Sequence, residues 1–252
     1  MEIVFLTAIG VGGASVLGAL FGFAFKKISH KFSDIVLAFA AGVMLAASIT
    51  GLILPSLEYG KNLKLLFTVG GIFCGALCVN VFDKIVPHMH RITGTDTETH
   101  PQNQEQLNKI MLFVIAIAIH NLPEGIAAGV GFGMNDPVSA LTIAGGIALQ
   151  NIPEGMVIIA PLLSAGVSKG RTFLIAVVTG IIEVIGTLIG FFAVSLSYAI
   201  LPFALAFAGG TMIYVVSDEM IPETHAHGSE RGATYSLLAG FCLMLIFDVL
   251  LG

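Results

Sequence analysis

Two short polar motifs interrupt apolar sequence thirty residues apart. The first, HNLPEG, occupies 120–125, and the second, QNIPEG, occupies 150–155. Each contains an asparagine, a proline and a glutamate, and the first adds a histidine. A charge at the centre of a membrane helix costs ~2.5 to 3.5 kcal/mol on insertion scales, so two glutamates in apolar segments indicate a functional role. The pair of motifs therefore predicts an ion-binding site.

The candidate ligands of each motif share one helix face. His120 and Glu124 are four residues apart and Asn121 and Glu124 are three apart, so a helix brings these side chains together. The second motif repeats the arrangement with Gln150, Asn151 and Glu154. At 1.5 Å per residue the two sets spread over roughly 10 Å. We therefore predict that both faces line one cavity near the middle of the membrane.

These side chains suit a divalent cation. Imidazole, carboxylate and amide groups are ligands of borderline to hard ions such as Zn²⁺, Fe²⁺, Mn²⁺ and Co²⁺, whereas a soft Cu⁺ site would need cysteine, which both motifs lack. Each proline leaves the carbonyl four residues back without its usual donor, which is tolerated at this depth only beside water or a ligand. Hydrogen bonding between helices is the alternative role, but it does not account for two glutamates.

Further residues extend the candidate set. Glu183 stands alone in an apolar run, and Met44 is either a thioether ligand or ordinary core packing. Glu58 and Asp248, near helix ends, either capture cations or are ordinary interfacial residues. The end of the seventh apolar run either takes a cation from the site or is a solvated helix end. Its candidate residues are Asp218, Glu219, Glu223, His225 and His227.

Composition defines the class of protein that holds these residues. Of 252 residues, 56% are hydrophobic and 11% are charged, against ~25% charged in soluble domains. The chain is predicted to be an all-α polytopic membrane protein in contact with the lipid bilayer. Its few charges lie in short connections and at helix ends and form no patch for nucleic acid, so nucleic-acid binding is not expected. At ~20 apolar residues per span, eight transmembrane helices are predicted. They cover 3–25, 34–57, 65–86, 109–133, 138–164, 172–197, 201–221 and 234–252.

The predicted spans form one domain, 1–252, with a single long connection. This connection, 87–108, is polar and is predicted to be a cytoplasmic loop. Its histidines, His88, His90 and His100, are interpreted either as surface residues or as metal-capturing groups. Only two of the eleven basic residues fall in loops opposite to the set that contains this connection. The positive-inside rule therefore predicts that both termini are extracytoplasmic.

A second repeat lies outside the motif pair. FAAGVM at 39–44 matches FAGGTM at 207–212, and each is followed by a proline. The copies lie on the second and seventh predicted helices, five steps apart in helix order, and an odd step reverses orientation. Helices one to three and six to eight are therefore predicted to form an inverted repeat around the hairpin of helices four and five. Chance similarity in Gly/Ala-rich sequence is the alternative. Gly125, Gly129 and Gly133 give the fourth helix a smooth face for close packing.

The HNLPEG and QNIPEG pair on the predicted fourth and fifth helices resembles the signature of the ZIP (Zrt/Irt-like) divalent metal transporters, and the short loop resembles the prokaryotic branch. The resemblance implies uptake into the cytoplasm of zinc, with iron, manganese, cobalt and cadmium as further candidates. It implies that the motif residues and Glu183 bind one or two ions, and Met44 matches a position lining the site in some bacterial members. Gln150 is a departure, because many relatives have histidine there.

The same resemblance implies alternating access, with the hairpin and its neighbours moving as a unit against the repeat helices. It also implies a homodimer in the cell inner membrane, with the metal as cargo and no cofactor. The alternative is an intramembrane metal-dependent enzyme in which His120 and Glu124 hold a catalytic metal. The protease signature H-E-x-x-H is absent, and a duplicated motif suits a permeation site better than one catalytic centre. The sequence therefore predicts a transporter and not an enzyme.

Overall fold

The computed structural model describes most of the chain. Described residues are 1–24, 29–59, 63–92, 120–134, 136–164 and 166–251, without the side chains of 83, 85–92, 161 and 251. Every regular element within them is helical. Seven helices in this part of the chain are long and apolar enough to cross a membrane, which confirms the prediction of an all-α membrane protein.

We number the helices α1 to α8 in chain order. Three of them change winding or break briefly, and their parts are given together. They are α1 Glu2–Ala24; α2 His30–Ala46, Ala47–Ile53 and Leu54–Tyr59; α3 Lys64–Ile92; α4 residues 120–131; α5 Pro137–Val157 and Ile159–Ser164; α6 Lys169–Leu196; α7 Leu201–Val215, Val216–Met220 and Ile221–Thr224; and α8 Glu230–Leu251. The middle parts of α2 and α7 are π-helical.

These bounds follow the predicted spans, with one clear extension. Helix α3 continues past the predicted end at residue 86 to Ile92, so the predicted loop begins later than expected and His88 and His90 belong to a helix. The rest of that loop, including His100, lies outside the described residues, as does the first part of the predicted fourth span, 109–119.

Helix starts follow from local capping residues. Ser29 accepts a hydrogen bond from the Phe32 amide at the start of α2. Asp136 caps α5 by accepting from the Val138 amide, and Pro137 occupies the first turn, where its missing N–H costs nothing. Asp136 and Pro137 therefore define the start of α5.

The helices pack as two groups. In the first, α1 packs along α5 and α6, and α4 packs on α6; in the second, α2 packs on α8 and α3 packs on α7. Helix α2 also contacts α5, which joins the groups. Alanine is common among the buried residues between helices, including Ala40, Ala41, Ala127 and Ala144. Small side chains let the backbones approach closely, which is the usual means of helix association in membranes.

The predicted glycine face of α4 is confirmed as a packing surface. Gly125 lies against the Glu183 backbone, Gly129 against the Thr187 carbonyl and Gly133 against the Val194 side chain. Helix α6 contributes its own glycines to this contact, since Gly186 and Gly190 lie against carbonyls of α4. Because both helices lack side chains at the contact, α4 and α6 meet backbone to backbone beside the motif residues.

We predict that Gly129→Ala lowers the melting temperature of the detergent-solubilised protein. The added methyl group would overlap the Thr187 carbonyl, and overpacking of this kind costs about 1 to 3 kcal/mol. Gly145→Ala is the matched control, because no other group lies within 4 Å of its methyl position. Equal melting temperatures for the two variants would contradict the backbone contact.

Candidate metal site

The two polar motifs meet inside the bundle. On α4, His120, Asn121 and Glu124 are buried, and Glu124 is only 1% exposed. On α5, Gln150 is fully buried and its Nε2 donates to Glu124 Oε2 at 2.5 Å and to Asn151 Oδ1 at 2.5 Å. One amide group therefore connects the motifs, as their predicted shared cavity requires.

Glu183 on α6 belongs to the same network. It is 0% exposed, and its Oε1 accepts a hydrogen bond from Asn151 Nδ2. Its Oε2 accepts a hydrogen bond of 2.9 Å from the hydroxyl of Ser15 on α1. The structure therefore places Glu183 beside the motifs and adds a fourth helix to the site.

Ser15 was missed by the sequence reasoning. A serine in an apolar helix usually bonds to a carbonyl of its own preceding turn, as Ser48 does with Leu45 at 2.8 Å. The sequence therefore contains no signal that distinguishes Ser15 from such residues. Its partner is 168 positions away in the chain, so only the fold identifies it.

A cavity of about 510 Å³ leads from this network toward the end of α7. His120, Glu124 and Glu154 line one side of it. Asp218, Glu219 and Glu223 from the end of α7 line the other. His120 Nε2 lies 2.8 Å from Glu219 Oε1, which is an ion pair when the imidazole is protonated. The structure thus brings three of the five candidate residues at the end of α7 to the predicted site.

The other two candidates at the end of α7 have different partners. The ring nitrogens of His225 lie 2.8 Å from the Ile221 carbonyl and 3.2 Å from the Thr234 hydroxyl. His227 Nδ1 lies 3.0 Å from Asp34 Oδ1, and its ring stacks on His30. Both imidazoles therefore connect the turn after α7 to neighbouring helices.

Met44 lies in the apolar core. It is 1% exposed and belongs to a cluster that includes Ala127, Ile147 and Met212, whereas the cavity is lined by other residues. Its surroundings are those of ordinary packing. The structure provides no contact that supports the predicted role of Met44 as a thioether ligand.

The remaining candidates, Glu58 and Asp248, line a smaller cavity of about 180 Å³. Asp136 lines it with them, so three carboxylates from α2, the start of α5 and α8 surround one opening. Asp136 was not among the candidate residues that the sequence analysis named. Asp248 lies more than 100 positions from both Glu58 and Asp136 in the sequence, so the proximity of the three groups is a property of the fold.

The donor set of the buried network fits a divalent cation. His120, Glu124 and Glu154 line the larger cavity, and Glu124 is joined by hydrogen bonds to a buried network of Gln150, Asn151 and Glu183. Gln150 Oε1 is buried and accepts no hydrogen bond from the described part of the chain. Amide oxygens bind hard and borderline cations, so an oxygen without a donor is suited to this role. The same carboxylates would balance the charge of the ion.

Fold and site together define a polytopic membrane protein with a buried cluster of carboxylate, imidazole and amide side chains. Comparison with known proteins identifies which kind. A family model described as ZIP zinc transporter matches residues 95–248. The chain is 39% identical over 247 residues to the zinc transporter GufA of Myxococcus xanthus, covering 96% of both chains. It is 39% identical to the zinc transporter ZIPB of Bordetella bronchiseptica over 95% of this chain and 78% of that protein. The chain belongs to the ZIP zinc transporter family.

Family membership confirms the resemblance on which the sequence interpretation relied. A third relative, the zinc transporter ZupT of Chlorobaculum parvum, is 31% identical over 93% of this chain and 92% of its own length. These relatives are transporters by name and align along almost the whole chain. The transporter interpretation is therefore supported over the intramembrane enzyme.

We predict a pH-dependent contribution of Asp136 to stability. Hydrogen bonds from the Ser139 hydroxyl and the Val138 amide hold the pKa of Asp136 below its usual range. A carboxyl group with a lowered folded-state pKa stabilises the fold above its unfolded pKa, about 3.9, and loses this contribution as the pH falls through the folded value. Asp136→Ala should therefore melt at a lower temperature than wild type at pH 7.

The melting temperatures of wild type and Asp136→Ala should converge as the pH falls below the normal range of an aspartate. Asp136→Asn is the control, because asparagine is also a good N-cap and does not titrate. A difference between wild type and Asp136→Ala that stays constant down to low pH would refute the electrostatic part of this explanation.

Proposed function

We propose that this protein transports divalent metal cations, with zinc as the principal cargo, into the cytoplasm. One observation supports this most directly: Glu124 and Glu154 line, together with His120, a cavity that is acidic at its other end, and Gln150 and Asn151 link Glu124 to the buried Glu183. Carboxylates buried in a membrane bundle are costly unless a cation or proton neutralises them. A transported cation supplies this neutralisation, and the relatives are named as zinc transporters.

The conformation is one that exposes the site to the cytoplasm. Arg171 at the start of α6 and Arg231 at the start of α8 lie at the same end as the larger cavity in the predicted topology, and the positive-inside rule makes this end cytoplasmic. At the opposite end, the Tyr59 hydroxyl donates to the Met134 carbonyl at 2.5 Å and joins α2 to the end of α4. This arrangement supports alternating access, with both termini outside.

The cation path begins and ends at acidic groups. Glu58, Asp136 and Asp248 attract the ion at the outer cavity, whose lining shares none of the described residues with that of the larger cavity. After binding, Glu219 and its neighbours Asp218 and Glu223 receive the ion on the cytoplasmic side. Carboxylate clusters at both mouths raise the local concentration of a cation.

An inverted repeat of α1–α3 and α6–α8 is supported by equivalent contacts. Gly42 in FAAGVM lies against the Leu237 carbonyl of α8, and Gly210 in FAGGTM lies against the Ile72 carbonyl of α3. Exchanging the two repeats converts the first contact into the second. Both helices also become π-helical a few residues after the shared motif. We therefore retain eight spans, with 109–133 as the fourth.

The two packing groups suggest the moving parts. The larger cavity lies between α4 and α5 of one group and α2 and α7 of the other. The network from Ser15 to Glu124 stays within the first group, so α1, α4, α5 and α6 can move together without breaking it. This supports an elevator-like motion against α2, α3, α7 and α8. The family resemblance adds a homodimer in the inner membrane.

We predict that Glu124→Gln and Glu154→Gln each reduce zinc uptake into proteoliposomes. Each substitution preserves shape and removes a charge that balances the cation. Changes beside a metal ligand cost 10- to 100-fold in affinity or activity, so losing a ligand charge should reduce uptake by about tenfold or more. Glu230→Gln, at the exposed start of α8, is the control. Near-normal uptake in both site variants would exclude this assignment.

Gln150→His should raise the affinity for zinc relative to manganese. An imidazole is a stronger nitrogen donor for zinc, whereas manganese prefers oxygen ligands. Equilibrium competition between the two ions measures the ratio without depending on the transport rate, which tight binding can slow. An unchanged ratio would show that Gln150 orients neighbouring groups, as it now does with Glu124 and Asn151, and does not contact the ion.

A further inference from the structure

Helix α1 contributes a residue to the site that lies outside both motifs. Its backbone is held close to α5 and α6 by glycines. Gly12 lies against the Gly180 carbonyl of α6, and Gly155 of α5 lies against the carbonyl of Ser15 itself. Backbone contacts of this kind leave little room for sliding or rotation. The Ser15 side chain is therefore presented to the site at a fixed position.

The two oxygens of Glu183 accept hydrogen bonds from different residues. Ser15 is 4% exposed, Glu183 is 0% exposed, and Ser15 Oγ donates to Glu183 Oε2 at 2.9 Å. Glu183 Oε1 is on the side of Asn151, whose Nδ2 donates to it and also reaches the Val11 carbonyl at 3.3 Å. One carboxylate oxygen thus faces α1, and the other faces the predicted ligands.

The two halves of this network respond differently to an incoming cation. Amide groups bind cations through oxygen, and Gln150 Nε2 now occupies both Asn151 Oδ1 and Glu124 Oε2. A cation that takes those oxygens displaces the amide nitrogen. The Ser15 bond lies on the far side of Glu183 and competes with no predicted ligand, so it persists when the ion is bound.

We infer that Ser15 is a positioning residue that makes Glu183 bind the cation through Oε1 alone. This inference rests on the proposed function of the site. A carboxylate that can bind a metal ion through only one of its oxygens suits zinc, which takes few ligands in a tetrahedral arrangement. Manganese favours six oxygen ligands and gains when both oxygens of a carboxylate are free. Ser15 therefore contributes to the preference for zinc over manganese.

The test is Ser15→Ala, with zinc and manganese affinities of the purified full-length protein measured by equilibrium competition. Groups that hydrogen-bond to metal ligands typically affect affinity by 10- to 100-fold, so the zinc-to-manganese affinity ratio should fall by about tenfold. Ser15→Gly also lacks the hydroxyl and should show the same shift. Ser48→Ala is the matched control, since its buried hydroxyl donates to the Leu45 carbonyl of its own helix.

The visible absorption spectrum of bound Co²⁺ provides a second readout, because it reports ligand geometry and is insensitive to a general loss of stability. It should change in Ser15→Ala and remain as in wild type in Ser48→Ala. An unchanged zinc-to-manganese ratio, or equal weakening of both ions, would overturn the role of Ser15. Failure of the wild-type protein to bind either ion would instead overturn the proposed function, and this inference with it.

Discussion

The burial of carboxylates inside an apolar bundle is the constraint on which the rest of the structure depends. Glu124 and Glu183 are almost completely inaccessible, and both are held by hydrogen bonds from hydroxyl or amide donors. Those donors satisfy individual oxygens without supplying positive charge. A cation does both, and this is why a metal transporter retains acidic residues at a depth where other membrane proteins exclude them.

Close helix packing makes that network possible. Hydrogen bonds between side chains require donor and acceptor atoms about 3 Å apart, so four helices must approach one another tightly around the site. Glycines achieve this at the contacts of α1 with α5 and α6 and of α4 with α6. The same contacts make these helices a single group and hold the candidate ligands in fixed relative positions.

The boundary between the two helix groups is less closely packed than the contacts within the first group, because a cavity opens it at one end. Near the end of α7 it is opened by a cavity of about 510 Å³, whereas at the opposite end it is joined by the bond between Tyr59 and Met134. Prolines and π-helical turns occur in α2 and α7, the helices that face the site group across this boundary. Irregular winding is common at functional positions in helices because it frees backbone groups and permits bending.

Apolar length and helical periodicity are local properties, so the class of protein and most bounds of the described helices could be predicted from the sequence, and the motif residues could be named as candidate ligands. The sequence also indicated the repeat and the glycine face of α4. Only the tertiary structure showed that Ser15 holds Glu183, that Asp136 lies beside Glu58 and Asp248, and that His225 and His227 have partners away from the cavity. These relations join residues far apart in the chain, and they depend on how helices pack, which local patterns do not encode.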